Sequence, residues 1–173
     1  MTAPMIAILV AVMLLLMPAH DHAALASATV DAYSHDAAEN GPLLRGNASR
    51  SLALLLAIEF RESGFRATAT GDCPGMVPGS PACDAEHARS FCAFQLTGER
   101  YRTTLADAGA CVRYGLAAIR WSFATCRAAP PEERLAAYAR GSCDSTEGRR
   151  MSRDRFALAK KIDVMIHNQK GTP

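Results

Sequence analysis

Six cysteines, Cys73, Cys83, Cys92, Cys111, Cys126 and Cys143, are the only ones in the chain, and all lie beyond residue 72. Their successive intervals are 10, 9, 19, 15 and 17 residues, with no Cys-x-x-Cys pair and no histidine at ligand spacing. An even set in that pattern reads as three disulfides rather than as a zinc centre, and no metal is expected. Three cross-links restrict the folds open to the chain more than composition does. Cys73 and Cys83 flank one Gly/Pro-rich loop and are the pair that suggests itself; for the others several connectivities stay open.

Disulfides need an oxidising compartment, and the start of the chain offers a route to one. Met5 to Met17 is a run of thirteen apolar residues. That is short of the roughly 20 needed to span a bilayer as a helix, but it is the length of a secretory signal core. Pro18 follows, then the small-residue patterns Ala24-Leu25-Ala26 and Ala26-Ser27-Ala28. Residues 1–28 are therefore expected to be a signal peptide, cleaved near Ala26 or Ala28, with the mature protein periplasmic or secreted. No Lys or Arg precedes the run, so a retained anchor is the alternative. His20 and His22 flank Asp21 in this disposable region and are given no metal role.

The 173 residues are 49% hydrophobic and 21% charged, which suits one globular domain. A formal charge of +2 with no basic, aromatic-interleaved stripe excludes a nucleic-acid partner. Residues 29–49, with His35, Asp36, Asn40, Gly41 and Pro42, read as a lead-in or a short helix. A helix is expected from Ser49 or Ser51, either of which can cap it, to Ser63, with Gly64 as its left-handed stop. The segment from Gly71 to Ser90 is a loop. Helices follow over Leu105 to Trp121, from Pro130 to Gly141, and from Arg153 to Ile166. No alternating strand pattern is present, so the fold class is mostly α in a single domain with disulfide-stapled loops. The core spans 50–145, and a C-terminal helix and tail occupy 146–173.

Chemistry concentrates in the last turn of the first of these helices. Glu62 lies at the negative end of its macrodipole, with Leu55, Ile58 and Phe65 nearby in sequence to desolvate it, an environment expected to favour the protonated acid that a general acid requires. The plainer reading is a surface Glu paired with Arg66. Tyr138 sits in the last turn of its own helix. Asp72, Asp84 and Glu86 are carboxylates of the long loop within possible reach of the same place, and Glu59 lies one turn before Glu62.

Four segments then fall in a familiar order. Glu62-Ser63-Gly64-Phe65 resembles a Glu-Ser-x-Phe motif, and Ser90-Phe91-Cys92-Ala93-Phe94-Gln95-Leu96 a Gly-Leu-Met-Gln-Leu segment. Asp107, Val112, Gly115 and Ile119 match the spacing of an Asp-x-x-x-Asn-Ile-x-x-Gly-x-x-Tyr-Leu helix, and Ala137-Tyr138-Ala139-Arg140-Gly141 resembles Ala-Tyr-Asn-Ala-Gly. Together, over roughly Arg50 to Cys143, they resemble the soluble-lytic-type lytic transglycosylases of the lysozyme-like superfamily. Three positions depart from that pattern: Cys92 stands for a Gly, Cys111 for an Asn and Ala139 for an Asn. The 33 residues from Glu62 to Gln95 are also more than the family usually has, so the segment Cys73 to Cys83 reads as an inserted loop beside the cleft.

The resemblance implies a lysozyme-like fold and cleavage of peptidoglycan glycan strands between N-acetylmuramic acid and N-acetylglucosamine. No cofactor is implied. Glu62 would be the catalytic acid and base, and the product a 1,6-anhydro-muropeptide. Ser63 and Gln95 would contact glycan, while Tyr138 would hold Glu62 by a hydrogen bond. A monomer serving a secretion or conjugation apparatus fits the small size. A hydrolytic muramidase and a non-catalytic glycan- or protein-binding module of the same fold are the alternatives.

Overall fold

Nine consecutive residues of one helix, Ser51 to Glu59, are buried, and the rest of the molecule is arranged around them. In the computed structural model, which describes residues 3–18, 20–44, 46–77 and 82–170, the chain is mostly helical. Residues 78–81 of the long loop and the last three of the tail lie outside those described. The elements run α1 (Ala3–Leu16), α2 (Ala23–Asn40), α3 (Ala48–Ser63), β1 (Thr70–Gly71), β2 (Ser90–Phe91), β3 (Leu96–Thr97), α4 (Ala108–Thr125), α5 (Ala136–Arg140) and α6 (Thr146–Lys170). Short 3₁₀ segments occupy Glu99–Ala106 and Pro131–Glu133.

The middle of the central helix α3, Leu52 to Ile58, is apolar on every side because it is enclosed on every side. Its start is capped by Asn47, whose Oδ1 accepts from Arg50 N at 2.9 Å; Ser49 and Ser51, the caps expected from sequence, are inside the helix. Ser51 instead donates back to Asn47 O at 2.9 Å. Its end is as expected: Gly64 takes φ 60°, ψ 40°, and its N–H reaches Phe60 O at 2.9 Å. The most extensive partner of α3 is α6, which turns Ser152, Arg155, Ala159, Ile162 and Ile166 inward at alternating steps of three and four.

Residues 29–40, within the segment read as a lead-in or a short helix, form most of α2, a helix of 18 residues. Val30 and Tyr33 of α2 are buried, and Asp36 receives both Nε and Nη2 of Arg120 from α4, at 2.8 and 2.5 Å. A forked, half-buried pair of this kind fixes the helix pair in register. Leu9, Val12 and Met13 of α1 are fully enclosed against this layer, and α1 packs on α2 and α6. The positions Ala26 and Ala28 both lie within α2. Among the described residues, no helix is long and apolar enough to cross a membrane.

A small antiparallel sheet, in the order β1-β2-β3, closes one end of the helical body. Its strands are two residues each, too short to leave an alternating pattern in the sequence. All six cysteines are paired, as Cys73–Cys83, Cys92–Cys111 and Cys126–Cys143. The second bond joins the two positions that depart from the resembled motifs at Gly and Asn. One departure therefore explains the other, and Cys92 keeps the left-handed backbone, φ 62°, that a glycine would adopt there.

The single helix expected from Pro130 to Gly141 is broken. Ser122 of α4 is completely buried, and its hydroxyl donates to Arg134 O at 2.7 Å while accepting from Tyr138 N at 2.9 Å. It is thus inserted into the i to i−4 pair that a continuous helix would make. Ser152 of α6 acts similarly, accepting from Leu135 N at 3.1 Å and donating to Glu132 O at 2.6 Å. The result is a 3₁₀ turn followed by α5, a five-residue helix that carries Tyr138.

Candidate active site

The last turn of α3 brings Glu62 to a cleft of about 480 Å³ between the small sheet and α4, α5 and α6. Glu62, Asp72, Gln95, Trp121, Tyr138 and Arg155 line it, with Arg100 and Arg140 also on its wall. Three of the four segments singled out in the sequence therefore each contribute a side chain. The fourth contributes Ala118, and Trp121, two residues beyond the end of that segment on α4, also lines the cleft and is 53% exposed.

Leu55 and Ile58 point into the core rather than around Glu62. The partner of Glu62 is Arg155, whose Nη2 donates to Glu62 Oε1, so the carboxyl is ion-paired. Arg66 instead donates from Nε to Ser63 O at 2.9 Å. The Arg155 side chain is 3% exposed and that of Glu62 17%, which makes this the most enclosed ion pair among those described. Oε2 of Glu62 has no hydrogen bond among the described residues. Arg155 was not singled out in the sequence, although the signal is there: it lies four residues before Ala159 and seven before Ile162, on the inward face of α6.

Tyr138 does not hold Glu62. Its hydroxyl donates to Phe94 O at 2.7 Å, and its ring centroid lies 5.8 Å from the Arg155 guanidinium carbon. Tyr138 keeps some solvent exposure as a residue, yet its hydroxyl is enclosed, and burial followed by the Glu62 charge pushes it well above the usual tyrosine range. It acts as a neutral strut between α5 and the Gln95 loop, and the holding contact expected of it is made by Arg155.

Gln95 lines the cleft with its amide already engaged. Its Oε1 accepts from Ser90 Oγ at 2.8 Å and its Nε2 donates to Cys92 O at 3.0 Å, leaving one amide proton for a ligand. Ser63 is not among the cleft residues; it is buried and donates to Glu59 O at 2.9 Å. Glu59 is fully buried on the opposite side, against α2. Burial pushes its carboxyl up to about 8, with the Thr29 hydroxyl bond acting the other way. Thr29 Oγ1 is 2.8 Å from both Leu25 O and Glu59 Oε1, and with a single proton it satisfies both only if Glu59 is protonated.

Of the loop carboxylates, Asp72 reaches the cleft and Asp84 and Glu86 do not. Asp84 Oδ1 accepts from Glu86 N, His87 N and the His87 ring at 3.0, 3.1 and 2.7 Å, and the His87 ring holds it below the usual carboxylate range. Among the described residues no group of three His, Cys, Asp or Glu is placed to hold a metal ion.

No family model, no curated protein and no solved structure matches the chain. Function is therefore argued from the cleft. It offers one ion-paired carboxylate with a free oxygen, a second carboxylate, an exposed indole and several guanidinium groups. That set can supply acid–base chemistry, and its guanidinium groups suit a ligand that carries negative charge.

Proposed function

We propose that the protein is a lytic transglycosylase of lysozyme-like architecture that cleaves peptidoglycan glycan strands, with Glu62 as acid and base. The observation that carries this reading is the convergence of Glu62, Gln95 and Tyr138 on one cleft, from three segments whose order matches the resembled motifs. Glu62 takes up a proton from solvent on Oε2, with Oε1 kept on Arg155, and gives it to the glycosidic oxygen, while the N-acetyl group of the muramoyl sugar assists as the bond to C1 breaks. Oε2 then removes the proton of the same sugar's C6 hydroxyl, which closes onto C1 as a 1,6-anhydro ring. Arg155 fixes Oε1 through both steps, so the proton shuttles on the other oxygen.

Trp121 supplies a face on which a pyranose ring can stack. Arg100 and Arg140 have no acidic hydrogen-bond partner among the described residues, and their charges suit the carboxylates of muramoyl stem peptides better than a neutral glycan. Three disulfides agree with a periplasmic or secreted site of action, and service to a secretion or conjugation apparatus fits the size. Mass spectrometry of peptidoglycan digested by the purified protein tests the proposal. Anhydro-muropeptides are expected from the wild type, and sacculus binding without products would mark a non-catalytic module instead.

A further inference from the structure

Among the described residues, one carboxylate of the cleft has no partner, and it sits in left-handed backbone. Asp72 follows β1, takes φ 53°, and has no hydrogen bond or ion pair among the described residues. Two devices fix the turn that carries it. On one side, Gly71 O accepts from Arg89 N at 3.0 Å, and Gly71 is so close to Gln95 that a Cβ would lie 2.1 Å from Gln95 Oε1. A side chain there would push the Gln95 amide and the Ser90 hydroxyl aside, and Gln95 itself takes φ 48°. On the other side, Cys73 is bonded to Cys83, and Thr70 Oγ1 donates to Cys83 O at 2.6 Å. Asp tolerates left-handed backbone better than most side chains, and these two devices hold it in that conformation at the cleft.

We infer that Asp72 is a second catalytic carboxylate, activating water in competition with the sugar's C6 hydroxyl, so that the cleft releases hydrolysed as well as anhydro ends. This rests on the reading of Glu62 as the acid. The step is a hydrolysis: Glu62 protonates the leaving oxygen, the C1–oxygen bond breaks, and a water oxygen bonds to C1. Asp72 takes the proton of that water and releases it to solvent, from which Glu62 is reprotonated. A second carboxylate on the cleft that holds the acid is what activation of water at the sugar requires. The segment Cys73 to Cys83, which reads as an insertion in sequence, then acquires a role as the clamp of this turn.

The experiment digests sacculi with wild-type protein and with Asp72→Asn, reduces the products with borohydride, and counts reducing and anhydro muramoyl ends by mass spectrometry. Both kinds of end are expected from the wild type. Asp72→Asn should lose about a hundredfold of the reducing ends while anhydro ends persist, and should melt with the wild type because Asp72 is exposed and unpaired. A wild type that makes anhydro ends alone, or a variant that keeps the wild-type ratio, overturns the inference and leaves the transglycosylase reading standing. A wild type that makes neither kind of end overturns the transglycosylase reading itself, and the inference with it.

Discussion

Arg155 does what the sequence pattern assigned to Tyr138, and the reason is one of reach. Tyr138 rides on a five-residue helix whose start is pinned by Ser122, and its hydroxyl ends at Phe94 O, whereas Arg155 projects from the middle of the long helix α6 directly at Glu62. Arg155→Gln should leave Glu62 enclosed without its counter-charge. Breaking such a pair destabilises by about 3 kcal/mol, so a lower melting temperature and at least a tenfold slower release of muropeptides are expected. Arg155→Lys should restore charge but not the planar contact with Tyr138, and recover only part of the rate. Glu59 makes a separate prediction for stability. Its carboxyl is raised from 4.5 to about 8 on folding, so the folded state binds more protons than the unfolded state between those values. Stability should therefore fall as pH rises from about 4.5 through about 8, by a few kcal/mol in all, and level off above. Chemical denaturation at pH 5 and pH 9 measures this slope, and Glu59→Gln should flatten it.

At the scale of elements, what was legible followed the strength of local signals. Gly64 announces the end of α3, Asp107 caps α4 by accepting from Ala110 N at 2.8 Å, and the inward residues of α6 keep helical spacing. The break before α5 was hidden because it is made by a serine of another helix, which no local pattern can reveal. Two-residue strands leave no periodicity, and α2 gains its length from Asp36 meeting Arg120 across 84 residues. The position of Glu62 could be read from its motif and the inward face of Arg155 from the spacing of α6, whereas their meeting across 93 residues could not. Ser122→Ala would leave Arg134 O and Tyr138 N without their partner beside a buried position, a loss of about 1–3 kcal/mol, and would loosen α5. A drop in denaturation midpoint together with loss of turnover checks this. Gly115 has a comparable role in α4: an added Cβ would lie 2.5 Å from the Phe94 ring, so Gly115→Ala should shift the loop that ends in Gln95.

For the whole molecule, the disulfides and the cleft belong to one design. Cys92–Cys111 ties the Gln95 loop to α4, Cys73–Cys83 closes the loop behind Asp72, and Cys126–Cys143 joins the end of α4 to the entry of α6. Each wall of the cleft apart from α3 is therefore cross-linked to a neighbour in sequence. Reduction with dithiothreitol should lower the melting temperature and abolish turnover, since each bond of this loop length contributes about 2–4 kcal/mol. An unchanged melting curve would contradict that assignment of rigidity. The account as a whole depends on Glu62 and its free oxygen. The most direct measurement is the initial rate at which Glu62→Gln releases soluble muropeptides from sacculi, compared with wild type at matched folding. A fall of about a thousandfold is expected for loss of the acid and base. Release at the wild-type rate would contradict the assignment of the cleft as a Glu62-driven active site.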